Sequence, residues 1–289
     1  MSTEVKIEAA MVKKLRDETD APMMDCKNAL VEAAGDYGKA KQILREKGQA
    51  AAAKRAGRST SEGLALVVAN GDSTKAAGIV VECETDFVAR NEDFKALVQT
   101  LADGILSETD ANPGETKALS GDTVVSGKSL SQHAADAVAK IRENIKIANA
   151  AVAKAGDGQK IAVYNHTNTG KIATFVVYSG NDAEAAAQIA VHTAWGKPNF
   201  LKKDEVPQDV IQKEIEIETQ RAVNDGKPAE IASKIAQGRV NKEYFQKEVL
   251  LEQPFYTDQG TKTGEYAKQH GLEIFGYAVF AVGANSDEE

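Results

Sequence analysis

Cysteine is scarce: only Cys26 and Cys83 occur, far apart and without CxxC spacing. That excludes a disulfide framework and a thiolate zinc site, and it fits a reducing compartment. No apolar run approaches the roughly 18 residues that a membrane-spanning helix needs. The opening MSTEVKIEAA has neither the basic-plus-apolar layout of a secretory signal nor the Arg-rich, acid-poor bias of a transit peptide. Excess positive charge is missing too. Asp plus Glu number 43 against 35 Lys plus Arg, a net charge of −8, which disfavours a broad phosphate-binding surface and nucleic acid as the main ligand. A cytoplasmic globular protein is expected. Its 289 residues, 42% hydrophobic, suffice for one large domain or two to three small ones.

Catalytic devices are also thin. His133, His166, His192 and His270 are scattered, with no HxxxH or HxH pair to organise a metal. His192 falls in a helical pattern, where a hydrogen-bonded core histidine is expected. There is no Gly-x-Ser-x-Gly elbow, and Cys26 has no convergent His to activate it. Glu82 and Glu84 share one face of a strand beside many other acids, which reads as a solvated edge rather than an acid–base pair. GDTVVSGKS ends in Gly127-Lys128-Ser129 as a phosphate loop does, but five residues separate Gly121 from Gly127 where four are needed. Val124 and Val125 also occupy that loop, and no strand precedes it. No catalytic residue, metal set or cofactor site is expected.

What is present is pattern. Three short helices are predicted over Ile7–Asp17, Pro22–Ala34 and Tyr37–Lys47, broken by ETDAP and AGD. They make residues 1–48 a small helical module, and QAAAAKRAGRSTS (49–61) reads as a linker. GLALVVANGDSTKAAGIVVECE then reads as a β-hairpin turning at Asn70-Gly71-Asp72, with Ile79, Val81 and Cys83 on the single buried face of its second strand. A helix follows from Asn91, which caps it, and Phe94, Leu97, Val98, Leu101, Ala102 and Ile105 line its inner side. KIAVYNHTNTGKIATFVVYSG and the helix Ala183–Ala194 repeat the same plan. A further helix is read through AADAVAKIRENIKI between these halves.

These patterns define an α+β core of two related hairpin-plus-helix halves, residues 62–150 and residues 151–205 with 249–282, the latter closing on a strand over Glu273–Val282. Residues 206–248 form two helices joined by Asn-Asp-Gly-Lys-Pro, an inserted antiparallel helical hairpin of coiled-coil type. Its apolar stripe, including Ile211, Ile215, Ile231 and Ile235, is thin, so the hairpin is expected to protrude or pair. Residues 283–289 are an acidic tail.

Two stretches resist a purely structural reading. In ECETDFVARNEDF, Phe87 stands at the strand-to-helix junction, seven residues before Phe94. An unbroken helix would put both rings on the core face, whereas a break would leave Phe87 outside. In LRDETDAPMMDCKNAL, the adjacent Met23 and Met24 differ by about 100° around a helix, so one of them should be exposed beside Arg16. Such a methionine is either an adaptable docking contact or a gap filler.

LRDETDAPMMDCKNAL resembles the first signature of the elongation factor Ts family, and TDFVARNEDF the second. GKIATFVVYSG, IAVHTAWGKP, GKPAEIASKIAQGR and LLEQPFY follow in the family's order, so the resemblance spans almost the whole chain. It implies a guanine-nucleotide exchange factor for elongation factor Tu, with a ubiquitin-associated (UBA)-like three-helix N-terminal module, the two-part core and the inserted hairpin.

The partner-binding positions it implies are Leu15, Arg16, Met23 and Met24 on the helical module, and Thr85, Asp86, Phe87 and Val88 at the junction. Phe87 would be the wedge that disturbs the partner's magnesium and phosphate site. His166 matches a histidine of the second half that the family associates with partner binding. The hairpin is open to a second copy of the chain, to the partner, or to both. Pro22 stands where glycine is common, implying a stiffer approach to Met23. Ala148-Asn149 replace an arginine pair, and Trp195 replaces a small residue, as an added core filler. The sequence stops soon after AVFAVGANSDEE, without the terminal helix of some members, which implies a weaker grip on the partner. A UBA-like adaptor without exchange activity, and a phosphotransfer enzyme built on Gly127-Lys128-Ser129, are the competing readings.

Overall fold

A computed structural model describes residues 7–19 and 21–284, so most of the acidic tail lies outside the described residues. Three helices come first: α1 (Ala9–Thr19), α2 (Met23–Glu32) and α3 (Tyr37–Arg55). Val12, Leu15, Cys26, Ala29, Leu30 and Ala40 close their small core. Ala34 and Gly35 end α2 with φ of 50° and 83°, and Asp36 caps α3 by accepting from Lys39 N at 3.0 Å. The predicted linker is a correction. Its first half is helical, because Ala50 to Ala53 are strong helix formers that simply continue α3. This extended end of α3 packs on α6 (Leu130–Ile141), where Gly48 is buried and an added Cβ would come within 3.0 Å of Ala139.

The core begins with the hairpin of β1 (Glu62–Ala69) and β2 (Lys75–Cys83), followed by a single helical turn α4 (Asp86–Ala89) and the long helix α5 (Glu92–Glu108). Then come β3 (Glu115–Ala118), a miniature hairpin of β4 (Val124–Val125) and β5 (Lys128–Ser129), α6, and β6 (Lys146–Lys154). The first sheet has the antiparallel order β1-β2-β6-β3. Strand β6 corrects the helix read through AADAVAKIRENIKI, which stops at Ile141. The boundary drawn between residues 150 and 151 falls inside it.

The second half supplies β7 (Gln159–Asn165), β8 (Ile172–Ser179) and α7 (Ala183–Gly196), and β11 (Glu273–Ala281) completes a sheet of order β11-β8-β7. The two sheets pack face to face, with Ala65, Val67, Ala76 and Val80 against Phe175, Val177 and Phe280. Helices α5 and α6 cover the outer face of the first sheet, and α7 covers that of the second. The architecture is therefore α+β in four layers, helix, sheet, sheet, helix. Strand β2 has both faces buried rather than the single face its alternation suggested. Its Gly78 lies under the Phe280 ring, where a Cβ would meet the ring at 2.2 Å.

The insertion is α8 (Gln208–Asn224) and α9 (Ala229–Arg239), joined through Gly226 at φ 79° and Pro228, as the turn chemistry predicts. A π-helical turn over Val240–Tyr244 and α10 (Phe245–Glu248) bring the chain back. Phe200 bridges Val249 at the base of the hairpin, and Val206, Val240 and Phe245 fill its root. Ala222, Ala232 and Ala236 are buried along it, whereas Ile217, Val223 and Ile231 are exposed. The elements β9 (Pro254–Phe255), β10 (Asp258–Lys262) and α11 (Thr263–Gln269) carried no pattern that foretold them.

Candidate functional site

Strand β2 delivers the chain to Thr85, whose extended backbone (φ −126°, ψ 152°) and side-chain oxygen cap α4 by accepting from Val88 N at 3.4 Å. One turn later Asn91 caps α5, accepting from Asp93 N at 2.8 Å. Two caps six residues apart break the helix, so the seven-residue spacing of Phe87 and Phe94 no longer puts them on one face. Ala89 is buried and Val88 half-buried against the core under α5, which turns the opposite side of α4 outward. Phe94 is fully buried, and Phe87 is 83% exposed. Asp86 sits beside it and pairs with Arg90 at 3.3 Å.

The base of this turn is polar and well tied. Cys83 donates to Thr85 O at 3.2 Å, and burial pushes its thiol up to about 12, which leaves it inert. Glu143 accepts from Glu84 N at 3.1 Å, from Thr85 N at 3.0 Å and from the Thr85 hydroxyl at 2.6 Å. Glu84 accepts from Asn144 N at 2.6 Å and pairs with Arg58, and these contacts, the backbone donor first, hold its carboxyl below the usual range. Nothing in the sequence singled out Glu143, because its partners lie 58 and 59 residues away. Glu82 is no solvated edge. It is buried, accepting from the Thr60 hydroxyl at 3.0 Å and from Gly283 N at 2.9 Å.

On the helical module, Met23 and Met24 are 45% and 60% exposed, Arg16 is exposed, and Pro22 leads into α2 at φ −55°. Leu15 is a correction: it is fully buried in the module's own core, because it faces Cys26, Ala29 and Leu30 across α1 and α2. Sequence reasoning also missed Val31, which is exposed one heptad after Met24 on the same helix and so on nearly the same face. His166 lies at the β7–β8 turn with Nδ1 2.7 Å from the Tyr164 hydroxyl. That turn is tied to β1 through Ala65 N donating to Gly170 O at 2.8 Å. No hydrogen bond or ring contact between described residues joins His166 to Phe87.

Gly127-Lys128-Ser129 close the β4–β5 hairpin over Ser126 and Gly127 (φ 50° and 75°); Ser129 caps α6, and Lys128 pairs with Asp136. His192 is buried, taking a hydrogen bond from Tyr256 N on Nδ1 at 3.2 Å, so its Nε2 donates to Gln253 Oε1 at 3.0 Å. Burial lowers its pKa to about 4, so the ring is neutral. Trp195, expected as a core filler, is 62% exposed because it sits near the last turn of α7 and beyond the stripe formed by Ala186, Ile189 and Ala190. Among the described residues no group of three or more His, Cys, Asp or Glu is placed to hold a metal, and no helix is long and apolar enough to cross a membrane.

The arrangement offers two exposed apolar elements with charged neighbours, the methionine pair on α2 and the capped turn bearing Phe87. A family model described as elongation factor TS matches residues 84–284. The match covers well over half of the chain, begins one residue before Thr85 and takes in the hairpin and the second half of the core.

Proposed function

The chain belongs to the elongation factor Ts family of translation elongation, and from that premise we propose that it releases GDP from elongation factor Tu by inserting Phe87 beside the partner's magnesium and phosphate site. The observation that carries this reading is the exposure of Phe87 on a turn capped by Thr85, followed at once by the Asn91 cap of α5, and anchored from below. A phenylalanine left in water forgoes about 2 kcal/mol of burial. A ring with only two side-chain torsions recovers that on entering an apolar cleft with little ordering cost.

The chain itself makes and breaks no covalent bond. GDP and its magnesium are held by a preorganised phosphate site, and a ring that displaces those groups makes factor and nucleotide each weaken the other's binding by the same free energy. A coupling of about 3 kcal/mol, expressed in the off-rate, speeds release by roughly two orders of magnitude. Arg16, Met23 and Met24 supply a second contact, an adaptable apolar patch with a charged rim. The exposed Ile217, Val223 and Ile231 favour a pairing role for the hairpin, with a second copy or with the partner. His166 adds a contact from the second half. The cytoplasm is the compartment this reading requires.

Stopped-flow release of a fluorescent GDP from elongation factor Tu tests the reading. The protein should accelerate release strongly, and Phe87→Ala should lose most of the acceleration while retaining part of the binding. Binding through the methionine patch without any acceleration would favour a UBA-like adaptor instead. Unchanged acceleration by Phe87→Ala would remove the wedge.

A further inference from the structure

The short segment Arg142–Asn144, between α6 and β6, touches the elements that carry both exposed apolar features. Arg142 ends α6 at φ 67°, in the left-handed region that residues other than glycine seldom adopt. Its guanidinium reaches Asp25 Oδ2 at 3.0 Å, on the α2 turn that presents Met23 and Met24. Glu143 reaches the opposite way and accepts three hydrogen bonds, from Glu84 N, Thr85 N and the Thr85 hydroxyl. Because that hydroxyl gives its proton to Glu143, its lone pair is left to cap Val88 N, so the carboxylate also sets the cap of the turn bearing Phe87. Asn144 completes the joint, its backbone N donating to Glu84 and its side-chain amide to Arg58 O at 2.8 Å.

The helical module thus docks on the core through α3 against α6, and the next three residues of the chain bind α2 on one side and the Phe87 turn on the other. The carboxylate of Glu143 is suited to this because it accepts from several donors at once, and charge-assisted bonds of this kind are the strong ones. We propose that Glu143 is a positioning residue for Phe87, and that Arg142–Asn144 form the joint that sets Phe87 relative to the methionine patch so that one partner surface meets both. The role in exchange rests on the reading of the preceding subsection. The fixing of the turn does not.

Two measurements separate them. In the protein alone, hydrogen exchange at the Glu84 and Thr85 amides should be about tenfold faster in Glu143→Ala, which removes the Oε2 that both amides share. The amide of Leu101, in the middle of α5, serves as the internal control for the fold. With elongation factor Tu, Glu143→Ala should lower the maximal rate of GDP release about tenfold, with a smaller change in half-saturating concentration, whereas Arg142→Ala should raise mainly the half-saturating concentration. Wild-type protection at Glu84 and Thr85 in Glu143→Ala overturns the joint. Lost protection with an unchanged maximal rate overturns the positioning role. A wild-type protein that fails to accelerate release overturns the exchange reading and this role with it, while the amide measurement still reports on the joint.

Discussion

Phe87 and Phe94 are the same residue type one heptad apart, yet the chain treats them oppositely. Phe94 lies wholly inside the core beneath α5, so Phe94→Ala should cost about 3–5 kcal/mol. Phe87→Ala removes a ring that touches water and should shift unfolding by no more than about 0.5 kcal/mol. Denaturant unfolding of the two variants decides it, and a large loss in Phe87→Ala would mean that the ring packs on its own fold. The same contrast applies on the module. Leu15→Ala should destabilise by about 2–5 kcal/mol, whereas Met24→Ala should leave unfolding unchanged and weaken association with elongation factor Tu. Leu15 entered the docking set because it shares a motif with Met23 and Met24. Burial, however, is set by α1 facing α2, which a motif does not encode. For Phe87 the pattern alone left both faces open and its outward reading came from the family resemblance, although the caps that decide it, Thr85 and Asn91, are local.

At the scale of elements, legibility follows how local the determinants are. The helical hairpin was readable from Gly226 and Pro228, whose backbone preferences act within a few residues. Strand β6 was not, because its alanine-rich run carries little intrinsic strand preference; its conformation comes from the slot between β2 and β3. The extended α3 errs the other way, since the alanines that suggested a linker lengthen the helix. Close packing of the two sheets was equally invisible, and it hangs on Gly78. Gly78→Ala should push Phe280 out of its place and cost about 1–3 kcal/mol by thermal or denaturant unfolding. Replacing residues 207–248 with a short Gly-Ser linker should leave the cooperative unfolding of the core intact, because the Phe200–Val249 bridge already brings the two ends together. Sedimentation of that deletion against the full chain, alone and with elongation factor Tu, shows whether the exposed Ile217, Val223 and Ile231 meet a second copy or the partner.

At the scale of the whole molecule, one buried group ties the layers to pH. His192 on α7 donates to Gln253 and accepts from Tyr256 N, so it joins the outer helical layer to the segment that returns from the hairpin. Gln253 extends the tie by donating to Gly196 O at 3.0 Å and to Lys247 O. Burial holds the histidine near a pKa of 4 against 6.5 for the free ring. The unfolded chain therefore takes up a proton before the folded one, and stability falls as pH drops from 6.5 towards 4, with a limiting slope of about 1.4 kcal/mol per unit. Carboxylates held low in the fold, such as Glu84, Asp110 and Asp182, add their losses only as pH falls below their ordinary values of 4.5 and 3.8. Between about pH 6 and 5 the slope thus reports mainly on His192. Denaturant midpoints across that interval should fall steeply for the wild type and stay nearly flat for His192→Gln, which keeps a hydrogen-bonding side chain but cannot take up a proton. Equal slopes for the two proteins would show that His192 opens to solvent before the molecule unfolds, and that the tie between α7 and the returning segment is a local one.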